Sequence, residues 1–324
     1  MTSATTRREV LAALASLGCG RARAAPDGVM RLLCSGPAGS IPDLVARALG
    51  EGLAATLGRH VIVDNRPGAA GQLAVSALKA APPDGSTLLV AQGAIATVYP
   101  ALYARLAYDA EVDLLPVSLA SEMTLALAIG PAVPASVATL ADFISWLRAH
   151  PAAANIGSPG TGTLPHLLEA MLLGEAGVAW QHVAYSGGPP AVNDLLGGQI
   201  AALVLPEGLL RQHHGAGRVR VLATSGPTRS AYLPDVPCFA EHGRPDLVGK
   251  EWFAVFAPRG TPRDTVVGLA TALQAAISRP ALVAVFAQAG MTPASCLPAA
   301  LATRIAAEQR HWKPVLLAHG IKAD

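Results

Sequence analysis

The chain has 324 residues, of which 52% are hydrophobic, 14% are charged and 4% are aromatic, and its formal net charge at pH 7 is +2. This length exceeds that of a typical single domain and predicts two, while the composition excludes a disordered chain, which needs low hydrophobicity and high charge. The sequence contains no apolar run of about eighteen residues, so we expect no membrane-spanning helix.

The N-terminus has the pattern of a bacterial export signal. The pair Arg7-Arg8 precedes an apolar stretch from Val10 to Gly18 and a small-x-small ending, Ala22-Arg23-Ala24. This pattern predicts cleavage after Ala24 and a protein located in the periplasm. The arginine pair favours the twin-arginine route, but Sec export and a lipid anchor on Cys19 stay open.

Loss of this signal changes the charge of the protein. Residues 1–24 hold four Arg and one Glu, so their removal lowers the formal charge by three, to −1. We therefore expect no nucleic-acid partner. Cys34, Cys238 and Cys296 remain, without a Cys-x-x-Cys pair or the ligand spacing of a zinc site, so we expect at most one disulfide, no metal and no cofactor.

Strand and helix patterns alternate along the rest of the chain. Strands are predicted at 29–35, 60–65, 86–92, 123–131, 155–158, 182–187, 200–206, 218–225 and 251–258; helices at 43–58, 74–82, 139–151, from 165, from 190, 265–278 and 299–317. Such alternation predicts βαβ units and an α/β fold with parallel sheets.

Small polar residues cluster where predicted strands lead into helices, at Ser35–Asp43, Gly157–His166 and Tyr185–Asp194. In open parallel sheets ligands bind at this edge, and helix N-termini suit anions. None of the three loops contains Arg or Lys, so a carboxylate bound there would meet backbone N–H groups, hydroxyls and water. Ordinary turn and capping chemistry explains any single loop, but three alike favour a shared cleft.

A hydrolytic site is an alternative for the same residues. Ser158, His166 and Asp194 can be drawn as a nucleophile, base and acid. However, Ser158 directly follows Gly157, which is not the Gly-x-Ser-x-Gly spacing of a nucleophile elbow. We expect no catalysis, and keep a periplasmic serine hydrolase or esterase and a bare scaffold as alternatives.

Six segments occur in one order: DNRPGAAGQLA, PPDGSTLL, PALYARLAYD, HVAYSGGPPAVNDLLGGQI, LATSGPTRSAYLPDVP and APRGTP. Together they resemble the Bug family, the extracytoplasmic solute receptors of tripartite tricarboxylate transporters in proteobacteria. The resemblance runs from about Met30 to Ile321. It implies a type II periplasmic-binding-protein fold, in which two α/β lobes close over a small carboxylated solute, without catalysis. It also implies membrane transporter subunits as partners, although a sensing receptor uncoupled from transport stays open.

On this basis we expect a monomer with lobe 1 at residues 25–123 and 227–324, and lobe 2 at 124–226. We expect crossover strands near Ser121–Thr124 and Thr224–Thr228. The predicted ligand-binding residues are Ser35, Gly36, Ala38, Gly39, Ser40, Asp43, Gln92, Ser158, Gly160, Thr161, Gly162, Thr163, His166, Tyr185, Ser186, Gly187 and Glu207.

The chain departs from the family pattern at two places. In the first loop, the family's Pro-Phe falls on Ser35-Gly36 and its second glycine on Ser40. After the strand ALVL, Leu205 stands where many members have an acid, with Glu207 two residues on. We expect the turn NRPGAAG to be architectural and to lie near the cradle rather than form it. The identity of the solute stays open.

Overall fold

The computed structural model describes residues 28–323, so the predicted export signal and Cys19 lie outside the described part. The strands are β1 Met30–Cys34, β2 Val61–Asn65, β3 Thr87–Gln92, β4 Leu114–Ile129, β5 Asn155–Ser158, β6 Gln181–Ala184, β7 Ala202–Pro206, β8 Arg220–Thr224, β9 Lys250–Pro258 and β10 Met291–Pro293.

The helices are α1 Ile41–Leu57, α2 Gln72–Lys79, α3 Ala94–Thr97, α4 Tyr99–Leu102, α5 Ala110–Asp113, α6 Leu140–Ala149, α7 Leu164–Glu175, α8 Gly188–Leu196, α9 Glu207–Gly215, α10 Arg263–Ile277, α11 Pro280–Gln288 and α12 Pro298–Ala318. Within residues 28–323, no single helix is long and apolar enough to cross a membrane. The pair α10 and α11 passes that test only together, across a break bent by 71°.

The strands form a mixed sheet in the order β2-β1-β3-β9-β4-β7-β5-β6, with β8 and β10 also paired to β4. The neighbours β1, β2 and β3 are parallel, as are β5, β6 and β7, while β4 and β9 run antiparallel to their partners. This architecture confirms the prediction of two α/β lobes.

Each lobe has apolar cores on both faces of its sheet. In lobe 1, helices α1, α10 and α11 cover one face through residues such as Leu49, Leu273 and Phe286. The other face carries α2, α4 and α12, through residues such as Leu78 and Leu301. In lobe 2, one face is covered by α6 and α7, and the other by α8 and α9. Because helices cover both faces of each sheet, the strand-to-helix loops lie at the sheet edges, where they can face the other lobe.

Strand β4 belongs to both lobes. It pairs with β9 as far as Thr124, opposite Lys250, and with β7 from Leu125 onward, opposite Pro206. Residues 225–249 pack with the second lobe, since Leu233 contributes to the core of α8 and α9 and Leu247 to that of α6 and α7. We therefore propose 124–249 for lobe 2, in place of the predicted 124–226, with the second crossover just before β9.

Ser225 connects the two crossovers. Its Oγ accepts a hydrogen bond from the Leu125 N–H at 3.0 Å and donates one to the Gly249 carbonyl at 2.6 Å. Its backbone N–H donates to the Leu125 carbonyl, and the Gly249 N–H donates to the Ser225 carbonyl. Because Ser225 is fully buried, these bonds are shielded from water.

Replacing Ser225 with alanine should lower the free energy of unfolding by about 1–3 kcal/mol, because it leaves buried polar groups without their partner. Ser145→Ala is the matched control, since the exposed Ser145 hydroxyl bonds only to the Ala141 carbonyl of its own helix. That control should change stability by no more than about 0.5 kcal/mol. Urea unfolding measures both, and equal stabilities of the two variants would contradict the assignment of Ser225 as the connection.

Candidate functional site

The first-lobe loop, residues 35–40, is a tight turn between β1 and α1. A Cβ on Gly36 would lie 2.5 Å from both Pro42 Cγ and Ser40 Oγ, so only glycine fits there. The Ser40 hydroxyl donates to the Pro37 carbonyl at 2.6 Å. Ala38 and Gly39 form the exposed tip of the loop.

Asp43 holds this loop in place from the first turn of α1. Its carboxylate accepts hydrogen bonds at 2.9 Å from the Gly39 N–H, from Arg47 Nε and from Asn65 Nδ2. Burial works against the charged form, but these bonds together hold the pKa of Asp43 below its usual value. Both carboxylate oxygens are thus engaged within the protein, and we assign Asp43 to the support of the loop rather than to contact with a solute.

The turn Gly68–Gly71 forms part of the same wall. Its four residues all have positive φ, at 127°, 45°, 54° and 98°, although two of them are alanines. The Ala70 carbonyl accepts hydrogen bonds from Gln92 Nε2 at 2.9 Å and from the Tyr99 hydroxyl at 3.1 Å. Gln92 in turn accepts from the Ser35 hydroxyl at 2.8 Å. The turn that the sequence places near the cradle is therefore bonded directly to Gln92, one of the predicted residues, and through it to Ser35. Such backbone strain is typical of functional loops.

In the second lobe, Ser158 bonds to a histidine that the sequence did not single out. Its Oγ lies 2.7 Å from His182 Nε2. His182 stacks on His166 with ring centroids 3.9 Å apart, and His166 Nδ1 accepts from the Gly162 N–H at 3.1 Å. Burial, with a smaller contribution from His182, lowers the pKa of His166 to about 3, and burial lowers that of His182 to about 4. Both rings are therefore neutral at pH 7 and act as hydrogen-bonding supports for this loop.

Ser158, His166 and Asp194, the nucleophile, base and acid of the hydrolase alternative, do not form a triad. Ser158 pairs with His182 rather than His166, and the Asp194 carboxylate accepts from the Tyr185 hydroxyl at 2.8 Å. Ser158 is also fully buried, so its hydroxyl does not face a space that a substrate could enter. A serine nucleophile needs both an oriented base and access to the scissile carbonyl.

The loops of the two lobes meet. A Cβ on Gly187 would lie 3.9 Å from Ser40 Cβ, so the first loop faces the loop after β6 at van der Waals distance. Gly162, with φ of 76°, packs on lobe 1, where a Cβ would collide with Leu102 and lie 3.3 Å from Tyr99 Cε1. Gly160 and Thr163 close the same loop, because the Gly160 carbonyl accepts from the Thr163 hydroxyl. Thr161 and Ser186 keep exposed surface in these loops.

Glu207 lies apart from the other predicted residues. It begins α9 at the end of β7 and lines a separate pocket at the hinge, together with Lys250 of β9 and Thr292 of β10. The residues that line this pocket include none from the three loops. The structure thus brings the first-lobe and second-lobe loops together but does not bring Glu207 to them.

The sequence did not indicate a role for two residues of this region, His182 and Tyr99. His182 lies in β6, opposite Ile156 of β5, and the parallel pairing of these strands brings it beside Ser158. The sequence feature that could have identified it is a polar residue in a short strand, next to the strand that leads into the Ser158 loop. Tyr99 follows the short helix α3, and only the fold brings its hydroxyl to the turn at Ala70.

Gly71→Ala tests the packing of the turn against the site. A Cβ there would lie 3.1 Å from Ser35 Cβ and 3.3 Å from Gln92 Nε2, in addition to the strain of a φ of 98°. Gly260→Ala is the control, with a φ of 84° and a nearest contact of 3.8 Å. Crowding should make Gly71→Ala the more destabilising by about 1–3 kcal/mol in urea unfolding. Equal losses in the two variants would show that the turn is not packed on Ser35 and Gln92.

Comparison with known proteins identifies the family of this chain. The sequence model of the tripartite tricarboxylate transporter family receptor matches residues 45–321. Protein BugT of Bordetella pertussis is 33% identical over 298 residues, which is 92% of this chain and 91% of that protein.

Two solved structures share the whole fold. R. palustris Rpa4515 with adipate has a TM-score of 0.84 and 28% identity, covering 90% of this chain and 97% of that one. MatC (Rpa3494) from Rhodopseudomonas palustris with bound malate has a TM-score of 0.80 and 27% identity, covering 89% and 98%.

The fold is thus that of an α/β periplasmic binding protein with two lobes. Because the family match covers most of the chain and the relatives align over nearly their full length, this chain belongs to the receptor family of the tripartite tricarboxylate transporters, the Bug solute-binding proteins.

Proposed function

We propose that the protein is an exported receptor that binds a small carboxylated solute between its lobes. It then presents the solute to the membrane subunits of a tripartite tricarboxylate transporter, without chemical change. The observation that carries this proposal is the convergence of three loops without Arg or Lys on one cleft, with Ser40 and Gly187 in contact range across it. The structures with adipate and malate support a carboxylate as the ligand class.

A carboxylate in this cleft would be held by neutral donors. Three helices begin at the loops, α1 at Ile41, α7 at Leu164 and α8 at Gly188, and their N-termini supply a positive field. Each has proline within its first turn, and α8 has both Pro189 and Pro190. Because proline has no N–H, side-chain hydroxyls and water must supply part of the hydrogen bonding.

The connection between the two lobes allows them to close over a bound solute. Within residues 28–323 the chain passes between them twice, at β4 and just before β9, and binding proteins of this build close by a hinge motion at such crossovers. A solute that contacts both loops stabilises the closed arrangement by its differential affinity for it. Ser158 and the two neutral histidines support this proposal, since they hold the second-lobe loop in place and the Ser158 hydroxyl is buried.

Carboxylate binding without turnover is the expected result of a thermal-shift screen of mono-, di- and tricarboxylates, including adipate and malate. At a hundred times its dissociation constant, a ligand should add about 2.7 kcal/mol to the stability.

Thr161→Ala and Ser186→Ala should each weaken binding by about 0.5–1.5 kcal/mol in calorimetry, because each removes one hydroxyl from the cleft. Thr303→Ala is the control, since Thr303 is exposed on α12 and bonds to its own helix.

Two outcomes would contradict the proposal. The absence of saturable binding by any acid in the screen would refute the receptor assignment, and consumption of the ligand over time would indicate an enzyme. Unchanged affinities in both cleft variants would place the cradle elsewhere. Gly162 is unsuitable for this test, because its contact with Leu102 makes any side chain there disturb the packing of the lobes.

A further inference from the structure

A second pocket lies between the lobes at the hinge and has a volume of about 220 Å³. We call it the hinge pocket, lined by Glu122, Met123, Thr124, Glu207, residues 226–232, Lys250, Gly290 and Thr292. Thr292 comes from lobe 1, Glu207 comes from lobe 2, and Thr124 lies where β4 passes between them. At about 30 Å³ for each water molecule, this volume suits a molecule of a few heavy atoms.

Glu207 is the unusual group in this pocket. Its side chain is only 2% exposed, and its Oε2 has no hydrogen-bond partner within the described chain. Burial raises the pKa of Glu207, while the Ser230 hydroxyl and the more distant Arg211 partly offset that effect. A buried carboxylate oxygen without a partner is costly, so a donor from a ligand would be strongly favoured there.

The cations around the pocket are already paired. Lys250 Nζ lies 3.3 Å from Glu122 Oε2, and Glu122 also bonds to Arg304. Arg229 forms a bidentate ion pair with Glu241, in which Nη2 lies 2.8 Å from Oε1. Glu207 is thus the acidic group of the lining that lacks a bonded cation. The chemistry that complements it is a small positively charged donor, which can pair with Oε2 and with hydroxyls such as those of Ser230 and Thr292.

The lobes are in close contact along the edge of this pocket. A Cβ on Gly208 would collide with the backbone of Ala289, and Arg211 Nη2 donates to the Gln288 carbonyl at 2.8 Å. Since Gly208 and Arg211 belong to lobe 2 and residues 288–289 to lobe 1, opening the hinge would pull the pocket walls apart. Occupation of the pocket therefore depends on the closed arrangement.

We propose that the hinge pocket is a second ligand site that takes a small primary ammonium compound, with Glu207 as its anchor. Because both lobes form the walls, a bound ammonium compound stabilises closure and is coupled to solute binding in the loop cleft. By reciprocity each ligand raises the affinity for the other by the same factor. The site itself does not depend on the identity of the solute or on coupling to a transporter.

Ethanolamine, which is an ammonium ion at pH 7, is the probe, and ethylene glycol is its uncharged counterpart of similar size. Isothermal titration of the purified protein should show saturable binding of ethanolamine and none of ethylene glycol. Glu207→Gln keeps the shape but removes the charge and should weaken ethanolamine binding by at least about tenfold. Glu51→Gln, at an exposed position of α1, should leave the affinity unchanged.

Two further variants separate this site from the loop cleft. Thr292→Phe fills the pocket from the opposite wall at an exposed position, and it should abolish ethanolamine binding while Glu207 stays intact. Thr161→Ala should leave ethanolamine binding unchanged. If Thr161→Ala weakens it as Glu207→Gln does, or if Glu207→Gln and Thr292→Phe both bind like the parent, the ammonium site lies elsewhere. A lack of saturable binding to the parent protein would show that the pocket holds water only. Any of these results overturns the proposal.

Discussion

The relative position of the lobes depends on one strand, β4, which runs through both sheets. Its first part is built into lobe 1 by β9 and β10, and its last five residues into lobe 2 by β7 and β8. Ser225 bonds this strand to the second crossover at the point where the lobes change. Any change in the angle between the lobes must therefore be absorbed within a few residues near Thr124 and Gly249.

The candidate cleft combines small residues with a rigid surround. Asp43 and Asn65 hold the first loop, the strained turn at Ala70 holds Gln92, and two neutral histidines hold the second. Polar groups committed in this way are not free to adapt, so they would preorganise the loops for the proposed solute. Because these loops contain no Arg or Lys, the proposed recognition of a carboxylate would rest on geometry and hydrogen bonding rather than on ion pairing. Side-chain identity consequently says little about which acid is bound.

Much of the fold was predictable, because buried parallel strands and amphipathic helices have distinct periods. The strand around Leu32 and the helix around Leu49 are examples. The first half of β4 was missed, since Pro116, Ser118 and Ser121 interrupt its apolar pattern. The pairing with β9 accommodates them by register shifts at these positions. Helices α9 and α11 were also missed, the first because it is short and polar and the second because it follows α10 after two residues.

The site was less predictable, because its contacts join residues that are distant in the sequence. Ser35 meets Gln92 and the turn at Gly71, and Ser158 meets His182, only once the strands are paired. A short motif can show that a loop follows a strand, but it does not show which side chains bond behind that loop. Glu207 illustrates the converse: its place after β7 suggested the cleft, but its side chain lines the hinge pocket.

The central claim, closure of the two lobes over a carboxylate, is tested most directly by small-angle X-ray scattering. The purified protein is measured alone and with a saturating acid whose binding has been verified by calorimetry. The loops at Ser40 and Gly187 are in contact range in this structure, which is therefore the closed arrangement. Without the acid, rotation about β4 and the crossover before β9 should separate these loops, so the radius of gyration should be larger without the acid than with it. An unchanged scattering profile at verified saturation would contradict closure.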